Sequence, residues 1–456
     1  MQLRLPWLRE RLPLMALAAW DCGVGTCAYT VLYRLRMGSW WGQNWQAVGL
    51  ILGWVTLSYL LGRYSKTSLQ EPLRKPWRSQ TVQVAVLLLA GVQLHSWLFR
   101  VLMEATRFRG FLVPFIGLVA IGSLAGQAWL RRKLRKHPGP WIIVANEQEL
   151  SVVEQELRNE VNYGNPSKEI RFSRFTEDLV KELARKTLTG VAVSHTMLQD
   201  EKTLEILLEE RQEGVECCSL EDWCENQLQR LPPELLDSRS LLVADGYQLK
   251  PGTLNWRLKR FGDVSVAAIL AIVSSPLVLM AMAIIKLEDG GPCFYKQRRT
   301  GLYGQELWVK KLRTMRMDAE RAGAQWTQAN DPRITQSGHW FRKFRIDELP
   351  QLWSVLVGDM SLIGPRPERP ELEKNLKERL PNYHLRHWLR PGLSGWAQVC
   401  YPYGASQEDS RNKLSYDLYY LRNANLFLDI LILIKTIRLV AGGQGAAPTT
   451  QTKTLN

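Results

Sequence analysis

The segment DVSVAAILAIVSSPLVLMAMAIIKL (263–287) is apolar enough to enter a membrane, although it lies deep inside a 456-residue chain, and the architecture depends on how it does so. Ser274, Ser275 and Pro276 stand at its centre. A proline removes a helix hydrogen bond and kinks the helix, and serine hydroxyls can satisfy the carbonyls that are freed. Each arm has about 12 residues, or about 18 Å of helix, which is too short to cross a bilayer alone.

The charges on either side of this stretch bear on whether it crosses the membrane. Basic residues flank both ends: Arg257, Lys259 and Arg260 before it, and Lys286, Lys296, Arg298 and Arg299 after it. A crossing helix should carry an excess of cations on one side only. Two interpretations stay open, a proline-kinked spanning helix with the C-terminal third outside the cell, and a re-entrant hairpin. The symmetric charges favour the hairpin.

Four apolar segments nearer the N-terminus predict membrane helices at about residues 14–32, 45–61, 82–103 and 111–130. Each is close to the ~20 residues that a ~30 Å hydrocarbon core requires. Cations crowd one set of flanks: Arg4, Arg9, Arg11, Arg63, Lys66, Arg74, Lys75, Arg78, Arg131, Arg132, Lys133, Arg135 and Lys136. The other side has Arg34, Arg36, Arg100, Arg107 and Arg109. The positive-inside rule places the N-terminus and everything after residue 131 in the cytoplasm. Asp21 and the apolar segments that follow make the first helix an anchor rather than a cleavable signal.

Strands and helices alternate after Pro138 and predict a small doubly wound parallel sheet. The strands are predicted at 141–145, 170–172, 190–193 and 215–218, and helices at 177–186 and 203–211. The first strand-to-helix turn, ANEQEL (145–150), has no glycine for a close approach to phosphate. We therefore expect an interaction or regulatory module, with nucleotide binding as the alternative.

Composition narrows the class of partner. The formal net charge is +15, which favours anionic partners such as nucleic acid, lipid headgroups or phosphorylated substrates. Seven cysteines form no CxxC pair, and the close group Cys217, Cys218 and Cys224 fits no zinc pattern. An odd, unpatterned cysteine count suits a reducing compartment.

A basic hairpin is predicted in KQRRTGLYGQELWVKKLRTM (296–315), where Gly301 and Gly304 permit a tight loop between two strands. Alternation along the second strand puts Lys311 and Arg313 on one face. Two cations on one face suit a diphosphate, and a basic face against the membrane surface is the alternative. Lys435 and Arg438 in the amphipathic stretch 415–440 indicate a helix at the membrane interface, or otherwise a core helix.

Two further features point to chemistry. Asp347 and Glu348 are adjacent in a basic setting that includes Arg342. Neighbouring helical side chains diverge by about 100°, so one carboxylate could be a nucleophile and the other a metal ligand. An ordinary charged helix start is the alternative. Pro365 and Pro367 fix the backbone around Arg366, which suits presentation to a phosphate or a uracil, although a solvated arginine in a turn is also possible.

Taken in order, seven motifs resemble the bacterial sugar transferase family, also called monotopic phosphoglycosyl transferases or polyprenyl-phosphate hexose-1-phosphate transferases. They are QRRTGLYG, KLRTM, NDPRIT, RKFRIDELPQLW, GDMSLIGPRPE, RPGLSGWAQV and YDLYYLRN, within about residues 254–441. The N-terminal helices and the α/β segment resemble the large subclass, which carries a Rossmann-like module. A leucine in KLRTM replaces the family's usual phenylalanine, and CYPYGAS (400–406) replaces a polar stretch, which leaves the hexose open.

The resemblance implies a role for each candidate residue. Asp347 would be the nucleophile that forms a phosphosugar–aspartyl intermediate, and Glu348 would bind Mg²⁺. Arg366 would contact the nucleotide part of the donor. Phosphates would be held by Lys311, Arg313 and Arg342. Asp417 matches a C-terminal acidic position of the family's active site. The Ser275–Pro276 pair would make the membrane segment re-entrant.

The complete expectation is a membrane α/β protein with four transmembrane helices (1–137), a Rossmann-like cytoplasmic module (138–250), a catalytic domain (251–445) with a re-entrant helix at 263–287, and a tail (446–456). It would move a sugar-1-phosphate from a UDP-sugar to undecaprenyl phosphate, release UMP, and initiate exopolysaccharide, capsule or O-antigen synthesis. We expect a multi-pass inner-membrane homodimer with a cytoplasmic catalytic domain, in contact with lipid and not with nucleic acid. The alternatives are a polytopic transferase, which needs more crossings, and an inactive membrane scaffold.

Overall fold

The computed structural model describes most of the chain. The described residues are 6–9, 11–38, 44–65, 76–98, 109–134, 140–162, 170–173, 183, 188–236, 252–319, 331–401 and 406–441. Within them the molecule is mostly helical, with apolar helices near the N-terminus and a mixed α/β domain after residue 252.

The N-terminal region contains a short helix and four long ones: α1 (Pro6–Arg9), α2 (Leu12–Met37), α3 (Asn44–Leu60), α4 (Pro76–Leu98) and α5 (Arg109–Leu134). The four predicted membrane helices are therefore present as helices. Within α2 and α5, the stretches Leu12–Arg36 and Gly110–Arg132 are long and apolar enough to cross a bilayer. The apolar stretches of α3 and α4 are shorter within the described residues, Trp45–Leu60 and Gln80–Gln93, and residues 99–103 of the third predicted segment lie outside them.

A buried ionic network holds this bundle together. Asp21 in α2 accepts hydrogen bonds from Arg63 Nη1 at 2.6 Å, Tyr64 Oη at 2.5 Å and Ser123 Oγ at 2.5 Å. A carboxylate inside an apolar bundle needs such partners, because an unpaired charge there is costly. Asp21, which interrupts the first apolar run of the sequence, thus joins α2 to α5 and to the residues just after α3.

The α/β module contains the predicted parallel sheet, with strand order β2-β1-β3-β4. Its strands are β1 (Trp141–Val144), β2 (Ile170–Ser173), β3 (Gly190–Val193) and β4 (Glu216–Ser219), all paired in parallel. Its described helices are α6 (Glu147–Asn162), α7 (Glu201–Gln212) and α8 (Leu220–Leu228). The predicted helix at 177–186 lies outside the described residues, except for Leu183.

The N-terminus of α6 is capped by side chains of the protein itself. Asn146 Oδ1 accepts from the Glu149 main-chain N–H at 2.8 Å, and Glu149 Oε2 accepts from the Asn146 N–H at 3.1 Å. Thr196 also donates to Glu149, at 3.1 Å. Asn146 and Glu149 thus form a reciprocal cap, and the Glu149 carboxylate lies at the N-terminus of α6, which is a position that favours negative charge.

One continuous helix, α9 (Leu254–Asp289), contains the stretch that opened the sequence analysis. The sequence predicted two separate helical arms. The structure instead has a single helix, because Pro276 lies inside it without ending it. Ser275 Oγ donates to the carbonyl of Ile272 at 2.8 Å, so the hydroxyl binds a main-chain group of the preceding turn. Ser275 and Pro276 are exposed, as are the large apolar side chains around them: Ile269, Ile272, Val273, Leu279 and Met280.

The C-terminal domain, here residues 252–441, folds around α9. Its remaining elements are β5 (Phe294–Thr300), β6 (Glu306–Leu312), α10 (Gln336–Lys343), α11 (Leu352–Val357), β7 (Ser361–Ile363), α12 (Pro370–Arg379), β8 (Gly392–Ser394), α13 (Trp396–Cys400), α14 (Gln407–Asn423) and α15 (Leu426–Ala441). Strands β5 and β6 form the predicted antiparallel hairpin. Helix α15 is both core and surface, because Leu428 and Ile432 are buried while Phe427 and Ile437 are exposed.

Strands β7 and β8 pair in parallel at a distance that only glycine permits. A Cβ on Gly392 would lie 2.1 Å from the nitrogen of Gly364, and a Cβ on Gly364 would lie 2.3 Å from the carbonyl oxygen of Arg390. The same is true of Gly395, whose Cβ would lie 2.3 Å from the oxygen of Gly364. The glycines of GLSGW therefore allow two backbones to meet beside the Pro365–Pro367 turn.

We expect Gly392→Ala to destabilise the protein by more than about 4 kcal/mol, since main-chain atoms of both strands would have to move. Expression yield in membranes and thermal unfolding in detergent measure this. The matched control is Gly262→Ala in α9, where the new Cβ would be 3.8 Å from Leu426 Cδ1 and helix propensity improves. Equal melting temperatures for Gly392→Ala and the unaltered protein would contradict the packing argument.

Candidate active site

The two adjacent carboxylates lie on a short 3-10 helix, Ile346–Gln351, which begins directly after α10. Asp347 is 8% exposed and Glu348 6% exposed. Arg345, just before this helix, has φ 53° and ψ 26°, a left-handed conformation that costs a non-glycine residue about 1 kcal/mol or more. The abrupt turn at Arg345 changes the chain from α10 to the tighter helix and brings both carboxylates into the interior.

Glu348 is the anion at the centre of three cations. Its oxygens accept from Lys311 Nζ at 3.0 Å, from Arg345 Nη1 at 3.0 Å and from Arg366 Nη2 at 2.5 Å. These cations come from β6, from the turn before the 3-10 helix and from the loop after β7. Because each charge is partly removed from water, the cluster is held more firmly than surface ion pairs would be.

Asp347 is different, although it is the next residue in the chain. Within the part of the chain that the structure describes, no group donates a hydrogen bond to its carboxylate. Burial and the neighbouring charge of Glu348 raise the pKa of Asp347 to about 6, while Lys311, Arg342 and Arg366 favour its ionised form. The carboxylate is thus mostly ionised at neutral pH and free of direct partners, as an attacking group should be.

The pKa values of the two carboxylates also shift in opposite directions. Burial would raise the pKa of Glu348, but Arg366, Lys311 and Arg345 outweigh it and hold that pKa well below its usual range. Burial also lowers the pKa of the Lys311 ammonium, which Glu348 partly offsets. Glu348 therefore stays an anion that organises cations, whereas Asp347 retains the greater basicity of the two.

The loop that carries Arg366 is fixed by hydrogen bonds to five of its main-chain carbonyls. The oxygens of Ile363, Pro365, Arg366, Pro367 and Glu368 accept from Lys259 Nζ (3.0 Å), Gly392 N (2.8 Å), Arg386 Nη2 (2.9 Å), Arg299 Nη1 (3.1 Å) and Thr300 N (3.0 Å), respectively. The donors come from α9, β5, the region of β8 and a short 3-10 helix, Tyr383–Trp388. These hydrogen bonds hold the main chain from which Arg366 reaches Glu348, and presentation of Arg366 to a phosphate or a uracil stays a prediction.

Two predicted phosphate-binding cations have other local partners. The positive charge of Arg342 acts to lower the pKa of Asp347. The Nε of Arg342 donates to Thr314 Oγ1 at 2.9 Å. Arg313 follows the end of β6 and forms an ion pair with Asp289, at the end of α9. Among the described contacts, Lys311 pairs with Glu348 and Arg313 with Asp289, and a joint role of the two cations in phosphate binding stays a prediction.

Asp417 lies behind the Arg366 loop rather than beside the dyad. It is 1% exposed, and its Oδ2 accepts from Arg386 Nη2 at 2.9 Å. Burial raises the pKa of Asp417 to about 6, although Arg386 favours the charged form. The guanidinium of Arg386 lies between Asp417 and the main chain of Arg366, and direct substrate binding by Asp417 stays a prediction.

Three arginines of the site had little or no signal in the sequence. Arg345 was visible only as part of a basic setting, Arg299 as one of several cations in a hairpin, and Arg386 as one cation in HLRHWLRPG (384–392). Their roles depend on which carbonyl or carboxylate lies within about 3 Å after folding, and no spacing rule predicts that.

Binding of Mg²⁺ by Glu348 stays a prediction. Mg²⁺ in phosphate-handling sites is commonly held by one or two protein carboxylates plus phosphate oxygens and water, and Glu348 would supply one such carboxylate. Groups of three or more potential protein ligands are absent from the described residues. Because both oxygens of Glu348 already bind cationic side chains, a Mg²⁺ on Glu348 would have to share that carboxylate with them.

The C-terminal domain matches the family model described as bacterial sugar transferase over residues 254–443. The chain is 44% identical over 198 residues to UDP-N-acetylgalactosamine-undecaprenyl-phosphate N-acetylgalactosaminephosphotransferase of Aeromonas hydrophila, which covers 43% of this chain and 47% of that protein. It is 37% identical over 234 residues to UDP-glucose:undecaprenyl-phosphate glucose-1-phosphate transferase of Caulobacter vibrioides, covering 49% of this chain and 86% of that one.

A protein of the same name from Escherichia coli K12 is 35% identical over 210 residues, which are 45% of this chain and 45% of that protein. The chain thus spans about half the length of the Aeromonas and Escherichia relatives and most of the Caulobacter relative. The Asp347–Glu348 pair, the Arg366 loop and the glycine-dependent β7–β8 contact all lie within the matched segment. On the strength of that match, and of a relative matched over nearly its whole length, the chain belongs to the bacterial sugar transferase family.

Proposed function

We propose that this protein transfers a sugar-1-phosphate from a UDP-sugar to polyprenyl phosphate, with release of UMP. The observation that carries the proposal is the difference between the two carboxylates. Asp347 is buried, ionised at neutral pH and without a direct hydrogen-bond donor among the described residues, and it adjoins cations gathered by Glu348. The relatives named above act, by their names, on UDP-sugars and undecaprenyl phosphate. An inactive scaffold of the same fold would have no use for this arrangement.

In the first half-reaction, an oxygen of Asp347 attacks the phosphorus that carries the sugar. The new O–P bond forms as the bond from that phosphorus to the bridging oxygen breaks, and UMP leaves with the electron pair. Lys311, Arg342 and Arg366 surround the carboxylate and oppose the charge that builds up on the diphosphate. Arg366 would bind the nucleotide side of the donor. A bound Mg²⁺ would supply further charge neutralisation at the phosphates.

In the second half-reaction, a phosphate oxygen of the lipid acceptor attacks the same phosphorus. The acyl phosphate bond breaks and Asp347 returns to its carboxylate form. Each half-reaction exchanges one phosphate bond for another, so no external energy source is needed. The end of α9 supports the approach of a lipid, since Ala281 and Ile285 pack with Leu312 and Phe341, close in sequence to Lys311 and Arg342.

The re-entrant placement of α9 is also part of the proposal, and the contacts at its two ends support it. Arg260 donates to the carbonyls of Val355 and Leu356 at 2.6 and 2.8 Å, whereas Ile285 shares a hydrophobic cluster with Ile346. Arg260 and Ile285 would be about 38 Å apart on a straight helix. The partner residues lie on two consecutive segments, the 3-10 helix Ile346–Gln351 and α11 (Leu352–Val357). The combined length of these two segments is no more than about 20 Å. These contacts support a placement of both helix ends on one side of the membrane, with the bend at Pro276.

Cysteine labelling tests this topology. Gln305→Cys introduces an exposed thiol at the tip of the β5–β6 hairpin, and we expect a membrane-impermeant maleimide to label it only after the inner membrane is opened. Labelling of the unaltered protein gives the background of its seven cysteines. Labelling of Gln305→Cys in intact spheroplasts would place the domain outside and contradict a cytoplasmic catalytic domain in a multi-pass inner-membrane protein.

A panel of UDP-sugars with purified protein, undecaprenyl phosphate and Mg²⁺ tests the reaction. We expect one or a few UDP-hexoses to give UMP and a lipid-linked diphosphosugar, and chelation by EDTA to stop turnover until Mg²⁺ is restored. Because the named relatives use different sugars, the panel also identifies the hexose. Release of UDP instead of UMP, or no product from any sugar, would contradict the proposal. Initiation of a surface polysaccharide and homodimer formation are further parts of it, testable by gene deletion and by mass photometry.

A further inference from the structure

Arg386 occupies a buried position directly behind the Arg366 loop. It is 6% exposed and belongs to the short 3-10 helix Tyr383–Trp388. Its guanidinium has three hydrogen-bond partners: Nη2 donates to the Arg366 carbonyl and to Asp417 Oδ2, both at 2.9 Å, and Nη1 donates to Tyr383 Oη at 2.6 Å. Glu373 Oε1 lies 3.9 Å from Nη1 as a further ion-pair partner. A planar guanidinium with fixed donors can serve partners in several directions at once, which a lysine ammonium on a flexible stem cannot do in the same geometry.

The Arg366 carbonyl is the central one of the five that fix the loop. The side chain of Arg366 starts from the same residue and reaches Glu348 Oε1 at 2.5 Å. Holding the carbonyl from behind therefore fixes the direction in which the side chain leaves the backbone. Asp417 holds Arg386 in turn, from helix α14, so the chain of contacts runs from Asp417 through Arg386 and Arg366 to Glu348.

We infer that Arg386 is a positioning residue for the transfer reaction, oriented by Asp417 and Tyr383, and that it acts by setting the place of Arg366 against Glu348 and the donor. This rests on the proposed function. It also gives Asp417 a role as the anion that fixes Arg386, in place of direct substrate contact. Arg386 itself touches neither Asp347 nor Glu348 among the contacts of the described residues.

The two substrates separate a positioning role from a merely structural one. In a two-step mechanism with a covalent intermediate, kcat/KM for each substrate reports its own half-reaction. We expect Arg386→Lys to lower kcat/KM for the UDP-sugar about 10- to 100-fold, since a displacement of about 1 Å in a charged contact costs that much. The value for polyprenyl phosphate should change less than about threefold. A loss of folded protein alone would lower both values equally.

A double-mutant cycle gives the second readout. If Arg386 acts through Arg366, then adding Arg386→Lys to an Arg366→Lys variant should lower kcat/KM for the UDP-sugar by less than about threefold more. Each change alone should lower that value strongly. The matched control is Arg422→Lys, a buried arginine on α14 that pairs with Asp222 and Glu225 of the α/β module. The loss of kcat/KM that Arg422→Lys causes should multiply with the loss that Arg366→Lys causes.

Two outcomes would overturn the inference: equal losses for both substrates, or multiplicative effects of the changes at Arg386 and Arg366. Should Arg386→Lys fail to fold, the pair Arg386→Met with Asp417→Asn removes the Arg386–Asp417 ion pair as a whole and leaves Glu373 with Lys377, and it should show the same loss of kcat/KM confined to the donor. If the unaltered protein releases no UMP from any UDP-sugar, the proposed function has failed first. If it does release UMP and the cycle is multiplicative, only the role of Arg386 is refuted.

Discussion

Asp347→Asn is expected to lower UMP release by about 10³-fold or more, because an amide cannot form the acyl phosphate on which both half-reactions depend. The side chain keeps its size, and Asp347 has no hydrogen-bond donor among the described residues that the change would strand. Folding should therefore be unaffected, and thermal unfolding should change by no more than a few degrees. Incubation with UDP-sugar labelled in the sugar, followed by denaturation and mass analysis, should find the phosphosugar on the unaltered protein and not on Asp347→Asn.

The control is Asp359→Asn, an exposed carboxylate that follows α11, which should label and turn over normally. Normal turnover by Asp347→Asn would remove the nucleophile assignment. Label that remains on the protein at another side chain would keep a covalent mechanism and move the nucleophile.

Glu348→Gln is expected to have the second largest effect. It leaves Lys311, Arg345 and Arg366 partly buried without the carboxylate that all three contact. Removal of one partner from a buried ion pair costs about 3–5 kcal/mol, so thermal unfolding should fall by several degrees. UMP release should fall by about 10²-fold or more, since the cations no longer converge on the site of attack.

Glu348→Asp is the informative companion, because it retains the charge and shortens the side chain by one methylene. It should recover much of the lost stability and less of the activity, as the distances to the three cations lengthen. If Glu348→Gln melts and turns over as the unaltered protein does, then the three cations are organised by something else and the account of the site is wrong.

Local patterns predicted the elements well where one segment determines its own structure. The apolar runs predicted α2 to α5 and α9, and the glycines Gly301 and Gly304 predicted the β5–β6 hairpin. Strand–helix alternation predicted the four-stranded parallel sheet. The fold of α9 was less predictable, because a proline inside a helix kinks it or ends it according to what the neighbouring turns contact.

The candidate site was predicted in part. The adjacency of Asp347 and Glu348 and the stiffness of the Arg366 loop follow from the sequence, and the motifs assigned them to a family. The partners of these groups did not follow from it: Lys311 is 37 residues from Glu348 and Arg366 is 18 residues from it. The ion pairs of Arg313 with Asp289 and of Asp417 with Arg386 likewise did not follow from the sequence.

The amino-acid order alone was enough to identify the apolar segments, the adjacent carboxylates, the prolines and glycines that restrict the backbone, and the family. Folding in three dimensions was needed to know that the cations gather at Glu348 and not at Asp347, and that Arg386 lies behind Arg366. This division follows from the range of the interactions. Helix and turn preferences act over a few neighbouring residues, whereas an ion pair depends on a separation below about 4 Å between groups that only folding brings together.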